Sequence, residues 1–200
     1  MLRIRSLFAG LVCALAVTAT AAMAATASAP RVQFKTSMGN FTVEVYPDKA
    51  PKTVANFLQY VKDGFYSGTQ FHRVIPGFMI QGGGMDASFK EKATRAPVPI
   101  ESEQSVKAGL TNGVGTVSMA RTSDPNSASA QFFINVADNK RLDFRSPDRA
   151  GYGYTVFGKV IAGMDVVDKI AATPTGPGGP FPRDVPQTRV MIESAKVVSQ

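Results

Sequence analysis

The sequence predicts a mainly β fold, a barrel or a sandwich, on three observations. Glycine (18) and proline (13) are frequent enough in 200 residues to break the chain with many turns. Most apolar segments are short and bounded by turn residues, as strands are. Only two stretches carry the apolar spacing of a helix. Hydrophobic residues make up 44% and charged residues 18%, enough apolar material for one sizeable core and unlike a disordered chain.

The elements follow in order from about Arg31. A first strand is expected over residues 32–36, then a turn at Ser37-Met38-Gly39-Asn40. Phe41, Val43 and Val45 alternate with Thr42 and Glu44, the period of a half-buried strand, which Tyr46-Pro47-Asp48 ends. A helix starts at Pro51, places Val54, Phe57, Leu58 and Val61 on one face, and stops at Gly64. Short strands are expected over residues 71–75, 78–81, 98–100, 116–120, 132–136, 156–161 and 190–198. A second helix covers residues 164–171, with Met164, Val167 and Ile170 sharing a face and Pro174 beyond its end. Residues 173–186, rich in Pro and Gly, read as a long surface loop. No repeat and no long linker interrupt this pattern, so residues 31–200 form one domain.

The first 29 residues differ. Arg3 and Arg5 precede an apolar run from Leu7 to Thr18, and two small-x-small sites follow, Ala22-Met23-Ala24 and Ala27-Ser28-Ala29. This is the pattern of an export leader cut somewhere after Ala24 to Ala29. The run is shorter than the ~20 residues of a transmembrane helix, which argues against the alternative of an uncleaved anchor. The one cysteine, Cys13, lies in the leader. The mature chain therefore has no thiol for a disulfide, a nucleophile or a metal site, and its core must hold the fold alone.

Net charge is +7, and +5 once Arg3 and Arg5 leave with the leader. The basic residues are scattered, with no run and no aromatic-basic platform, so nucleic acid is not the expected partner. Gly82-Gly83-Gly84 lacks the lysine of a phosphate loop, and no Gly-x-Ser-x-Gly elbow is present. The single histidine, His72, sits between Phe71 and Arg73 and is expected to be a hydrogen-bonded core residue.

One stretch stands out: Phe71-His72-Arg73-Val74-Ile75-Pro76-Gly77-Phe78-Met79-Ile80-Gln81-Gly82-Gly83 sets a permanent cation and an uncharged amide among large apolar side chains. A second apolar-plus-amide segment is Gln131-Phe132-Phe133-Ile134-Asn135. These resemble the most specific stretch of the cyclophilin family and its companion strand. Gly115-Thr116-Val117-Ser118-Met119-Ala120-Arg121 and Val156-Phe157-Gly158-Lys159-Val160 resemble two more of its motifs. The match runs in order from about Val32 to the C-terminus and looks most like the short bacterial periplasmic branch.

The resemblance implies a closed eight-stranded antiparallel β-barrel capped by two α-helices, with a substrate groove outside the barrel. It implies a peptidyl-prolyl cis-trans isomerase without cofactor or metal, acting on proline-containing polypeptides and assisting the folding of exported proteins. A monomer is expected, periplasmic and free of the membrane once the leader is cut. Arg73 takes the place of the donor to the proline nitrogen, and Gln81 that of the amide holding a substrate backbone group. Phe78, Met79, Phe133 and Leu142 match the apolar pocket for the proline ring, Ala120 and Gln131 the groove lining, and Tyr154 the pocket wall. Arg141 departs from the family: it stands where the best-known members carry tryptophan, which implies weak cyclosporin binding. The alternative is a proline-peptide-binding chaperone or holdase that keeps the groove with little turnover.

Overall fold

The structure, a computed structural model, describes residues 29–199. The predicted leader lies outside the described residues except for Ala29. Two strands open the fold, β1 (Arg31–Thr36) and β2 (Gly39–Val45), paired antiparallel with Phe34 opposite Phe41. Side chains alternate along both: Val32, Phe34, Phe41, Val43 and Val45 are buried and their neighbours are not. That alternation puts one apolar face inward.

Helix α1 (Pro51–Lys62) follows, burying Val54, Phe57, Tyr60 and Val61. Its Phe57 ring meets Phe34, Phe132 and Phe157 at centroid distances of 6.2, 6.1 and 4.9 Å. Ala50 precedes it and offers no capping side chain. The cap comes from far along the chain: the buried Glu101 carboxylate accepts hydrogen bonds from Lys52 N–H (3.0 Å), Thr53 N–H (2.8 Å) and the Thr53 hydroxyl (2.7 Å). An anion is favoured there because free N–H groups and the helix dipole both present positive charge. Glu101→Ala leaves those donors buried and unpaired, a cost of about 2 kcal/mol. Thermal unfolding should show the midpoint ~4–8 °C lower; an unshifted midpoint would mean water replaces the cap without loss.

The remaining strands are β3 (Thr69–Gln70), β4 (Arg73–Ile75), β5 (Met79–Gly82), β6 (Thr116–Met119), β7 (Phe132–Asn135), β8 (Val156–Ala162), β9 (Thr175–Gly178), β10 (Phe181–Pro186) and β11 (Met191–Ser199). Two further helices are α2 (Ser102–Lys107) and α3 (Met164–Ala171), and a 3-10 turn covers Lys140–Leu142. One antiparallel sheet runs β3-β11-β1-β2-β8-β6-β7-β5-β4. Its end members, β3 and β4, are two halves of one segment separated by Phe71 and His72, so the sheet curls round until it meets itself. Counted as one strand, they make the predicted eight, with Phe71-His72 as a seam in place of a continuous ladder. The interior is filled by aromatic rings, among them Phe34, Phe41, Phe71 and Phe132.

Three expectations need correction. Residues 98–100 form no strand, only a single bridge from Val98 to Ala128. Pro97 and Pro99 flank Val98 and have no N–H, so the ladder stops at the Val98 N–H bond to Ala128 O (2.9 Å), and the Ile100 N–H turns to the Asn126 side chain (2.9 Å). Residues 173–186 are not a plain loop: β9 and β10 pair as a separate two-stranded sheet. A ribbon with two free edges tolerates the prolines that disguise it in the sequence. Finally, there are three α-helices among the described residues, not two. Helix α2 carries no apolar stripe; it buries Ser102 and Ser105, which period counting cannot detect.

Candidate active site

The site lies on the outer face of β4, β5 and β7. Arg73 is registered opposite Gln81, and Gln81 opposite Phe133. Strand alternation sends Val74, Ile80 and Phe132 into the core, so Arg73, Gln81 and Phe133 form a row on the other face. Arg73 Nη1 donates to Gln81 Oε1 (3.4 Å), Gln81 Nε2 to Gln131 Oε1 (3.0 Å), and Gln131 Nε2 to Glu91 Oε1 (3.2 Å). This relay orients both amides. On its other flank, Arg73 Nε stands 3.8 Å from Asp184 Oδ2, which β10 brings up to β4. Arg73 is thus held from two sides while its side chain stays 44% exposed.

Beside this row is a cavity of about 230 Å³ lined by Arg73, Phe78, Met79, Gln81, Ala120, Arg121, Phe133, Leu142 and Tyr154. Its volume is several times the ~30 Å³ a water molecule occupies in the liquid, room for a small ring. Met79 and Phe133 are buried yet stand outside the main core cluster. The Phe133 and Tyr154 rings meet edge to face at 5.5 Å. The sequence-predicted residues therefore come together, with Gln131 standing behind Gln81 and not in the wall. Arg141 lies over the Phe78 ring, 4.6 Å from its centroid.

The floor is a polar network absent from the sequence reading. The Asn112 backbone N–H and its Nδ2 donate to Asp143 Oδ1 (2.7 and 2.8 Å), and Asn112 Oδ1 accepts from Ser118 Oγ (2.7 Å). Asn135 Nδ2 donates to Thr116 Oγ1 (2.9 Å), and Asn139 Nδ2 to Asn135 Oδ1 and Phe78 O (both 2.8 Å). These bonds tie the Phe78 turn to the segment carrying Leu142. Such residues are buried and satisfied, so they fix pocket shape.

His72 is buried as expected, but its Nδ1 has no hydrogen-bond partner among the described residues. Burial lowers its pKa from 6.5 to about 4; a Gln70 backbone hydrogen bond opposes the shift and the Arg73 charge adds to it. The imidazole is neutral near pH 7 and packs 5.8 Å from the Phe181 ring of β10. The glycine triplet is set by close approach: at Gly83, φ is +85° and a Cβ would lie 2.7 Å from Phe132 Cε1, while one at Gly82 would meet Gln70 O at 2.8 Å and one at Gly84 would run into the Gln131 side chain. Sequence reasoning missed Arg121, Glu91 and Asp184. Arg121 was visible only as the residue after Ala120, and Asp184 lay within the supposed loop.

A curled antiparallel barrel with a guanidinium held beside a ring-sized pocket suits an enzyme of the rotamase class, one that needs only a donor and a place for an apolar ring. The comparisons agree. The family model described as cyclophilin type peptidyl-prolyl cis-trans isomerase matches residues 31–197. A peptidyl-prolyl cis-trans isomerase of Acinetobacter baylyi is 54% identical over 168 residues, 84% of this chain and 85% of that one. Peptidyl-prolyl cis-trans isomerase A of Dickeya dadantii is 46% identical over 196 residues, 98% of this chain and 99% of that one. Among solved structures, a cyclophilin type isomerase of Cryptosporidium parvum, crystallised in the presence of the dipeptide Ala-Pro, superposes with a TM-score of 0.66. It is 26% identical, and the match covers 85% of this chain and 99% of that one. The chain belongs to the cyclophilin-type peptidyl-prolyl cis-trans isomerases.

Proposed function

We propose that this isomerase is exported, works in the periplasm as in the bacterial periplasmic branch of its family, and turns Xaa-Pro bonds of polypeptides that are still folding there. The reading rests first on the Arg73–Gln81–Gln131 row at the edge of the apolar cavity. The leader pattern supports export. The alignment to the Dickeya isomerase spans 98% of the chain and so reaches into that leader. No helix among the described residues is long and apolar enough to cross a membrane. A monomer without nucleic acid completes the proposal.

The mechanism assigns a role to each group. The peptide bond resists rotation by ~18–20 kcal/mol because the nitrogen lone pair is delocalised. Twisting localises that pair, and the nitrogen becomes an acceptor. The proline ring sits among Phe78, Met79, Phe133 and Leu142, and Arg73 donates to the nitrogen. That bond strengthens only as the amide twists, so it lowers the barrier and does not merely hold substrate. Gln81 has one Nε2 hydrogen committed to Gln131, leaving the other for a substrate carbonyl. Ala120 and Tyr154 flank the bound chain.

The test is the refolding of a protein whose slow phase is limited by a non-native proline isomer. Sub-stoichiometric amounts of the chain without its leader should speed that phase in proportion to enzyme added. An effect that needs equimolar protein, with the rate of the slow phase unchanged, would leave a holdase as the better description.

A further inference from the structure

Next to the proline cavity lies a second, wider cleft of about 550 Å³, lined by Arg121, Thr122, Ser123, Arg141, Leu142, Arg149, Ala150, Gly153 and Tyr154. The two share Arg121, Leu142 and Tyr154 as a common wall. Three arginines surround this cleft, and no carboxylate is among its lining residues. Among the described residues none of the three makes an ion pair. Three acidic residues near them in sequence accept hydrogen bonds elsewhere, Asp124 and Asp148 within their own loops and Asp143 from a distant segment. Asp143 accepts from Asn112 (2.7 Å), Asp124 from Asn126 N–H (2.9 Å), and Asp148 from Ser146 Oγ (2.6 Å) and the N–H groups of Ala150 and Gly151 (2.9 Å each).

Two of the arginines are also held in place. Arg121 donates from Nε to Gly153 O and from Nη1 to Thr122 O, both at 2.8 Å, and its guanidinium lies 4.6 Å from the Tyr154 ring centroid. Arg141 is stacked on Phe78. Neither arrangement consumes the positive charge. A stacked guanidinium keeps its planar fork of donors for a carboxylate and loses little side-chain freedom on binding one.

We propose that this cleft receives an acidic side chain of the substrate, so that the enzyme prefers Xaa-Pro bonds with Asp or Glu nearby in the sequence. This deepens the isomerase reading and rests on it. The two cavities share a wall, and an extended chain advances ~3.3–3.6 Å per residue. The acidic residue therefore falls within about three positions of the proline.

The experiment uses synthetic peptides containing one Ala-Pro bond, with Glu, Gln or Lys placed in turn at each of three positions on either side. The cis-trans exchange rate with enzyme is read by NMR. At one or two positions Glu should exceed Gln about three- to tenfold in kcat/KM, and Lys should fall below Gln. The preference should vanish in 1 M salt, where the Debye length is ~3 Å. The quantity compared between variants is the Glu/Gln ratio within each protein, so a general loss of activity does not disturb it. Arg141→Gln with Arg149→Gln should bring the ratio to about one. Equal rates for Glu and Gln at all six positions, or a ratio that survives the double substitution, would overturn the proposal while leaving the isomerase intact. No turnover of any peptide by the native chain would remove the isomerase reading and this proposal together.

Discussion

Arg73→Ala should lower kcat/KM by about 10²–10³-fold, the loss typical when one donor to a developing charge is removed. The fall should lie in kcat, because the lost bond forms only in the twisted state. The protein should remain folded. The Arg73 side chain is 44% exposed, and its partners are the Gln81 amide at 3.4 Å and Asp184 at 3.8 Å. Neither is left as a buried orphan, so the stability change should stay within ~0.5 kcal/mol. Arg73→Lys keeps the charge but not the planar fork, and should recover only part of the rate. Exchange NMR on a short proline peptide measures the first effect and thermal unfolding the second. A folded Arg73→Ala protein within tenfold of native activity would sink the proposed role.

Gly83→Ala should be strongly destabilising although it removes no functional group. The new Cβ would meet Phe132 Cε1 at 2.7 Å and Tyr66 Cε1 at 2.9 Å, and the φ of +85° disfavours any side chain. Neither ring can retreat. Both are fully buried, they pack edge to face at 5.5 Å, and the Tyr66 hydroxyl is tied to Ala130 O at 3.0 Å. Backbone strain of ~1–3 kcal/mol and a similar overpacking cost suggest about 2–5 kcal/mol in all. The unfolding midpoint should fall by ~5–15 °C. Gly64→Ala is the matched control: its φ is +66° but nothing lies within 4 Å of the new Cβ. It should cost only the backbone share, about 1 kcal/mol. Equal losses at both positions would show that crowding at Gly83 contributes nothing.

The pairs Val32/Phe34 and Phe41/Val43 announced their strands because one face is dry and the other wet. Val54, Phe57 and Val61 announced α1 for the same reason. The pattern weakened wherever burial was achieved by other means. Helix α2 is held through serines, β9 and β10 contain the prolines usually taken as breakers, and β3 is only two residues long. In the site, Arg73, Gln81, Phe78, Met79 and Phe133 stood out because two short segments set a cation and amides among large apolar side chains; their roles came only from the resemblance to the cyclophilin family. Glu91, Arg121 and Asp184 join them only through folding. The carboxylate that caps α1 likewise sits 48 residues from the backbone it serves, a separation no local window spans.

The pairing of β1 with β11 also sets a timetable. Arg31 is partnered with Ser199, so the strand made first waits for nearly the whole chain before its second edge is covered. Until then the sheet has an open flank and its aromatic interior is accessible to water. Folds dominated by such distant pairings assemble slowly, in milliseconds to seconds. For a chain proposed to leave the cytoplasm, that delay is an advantage. Under the proposed export, such a delay would leave time for translocation before residues 191–199 fill the gap between β1 and β3.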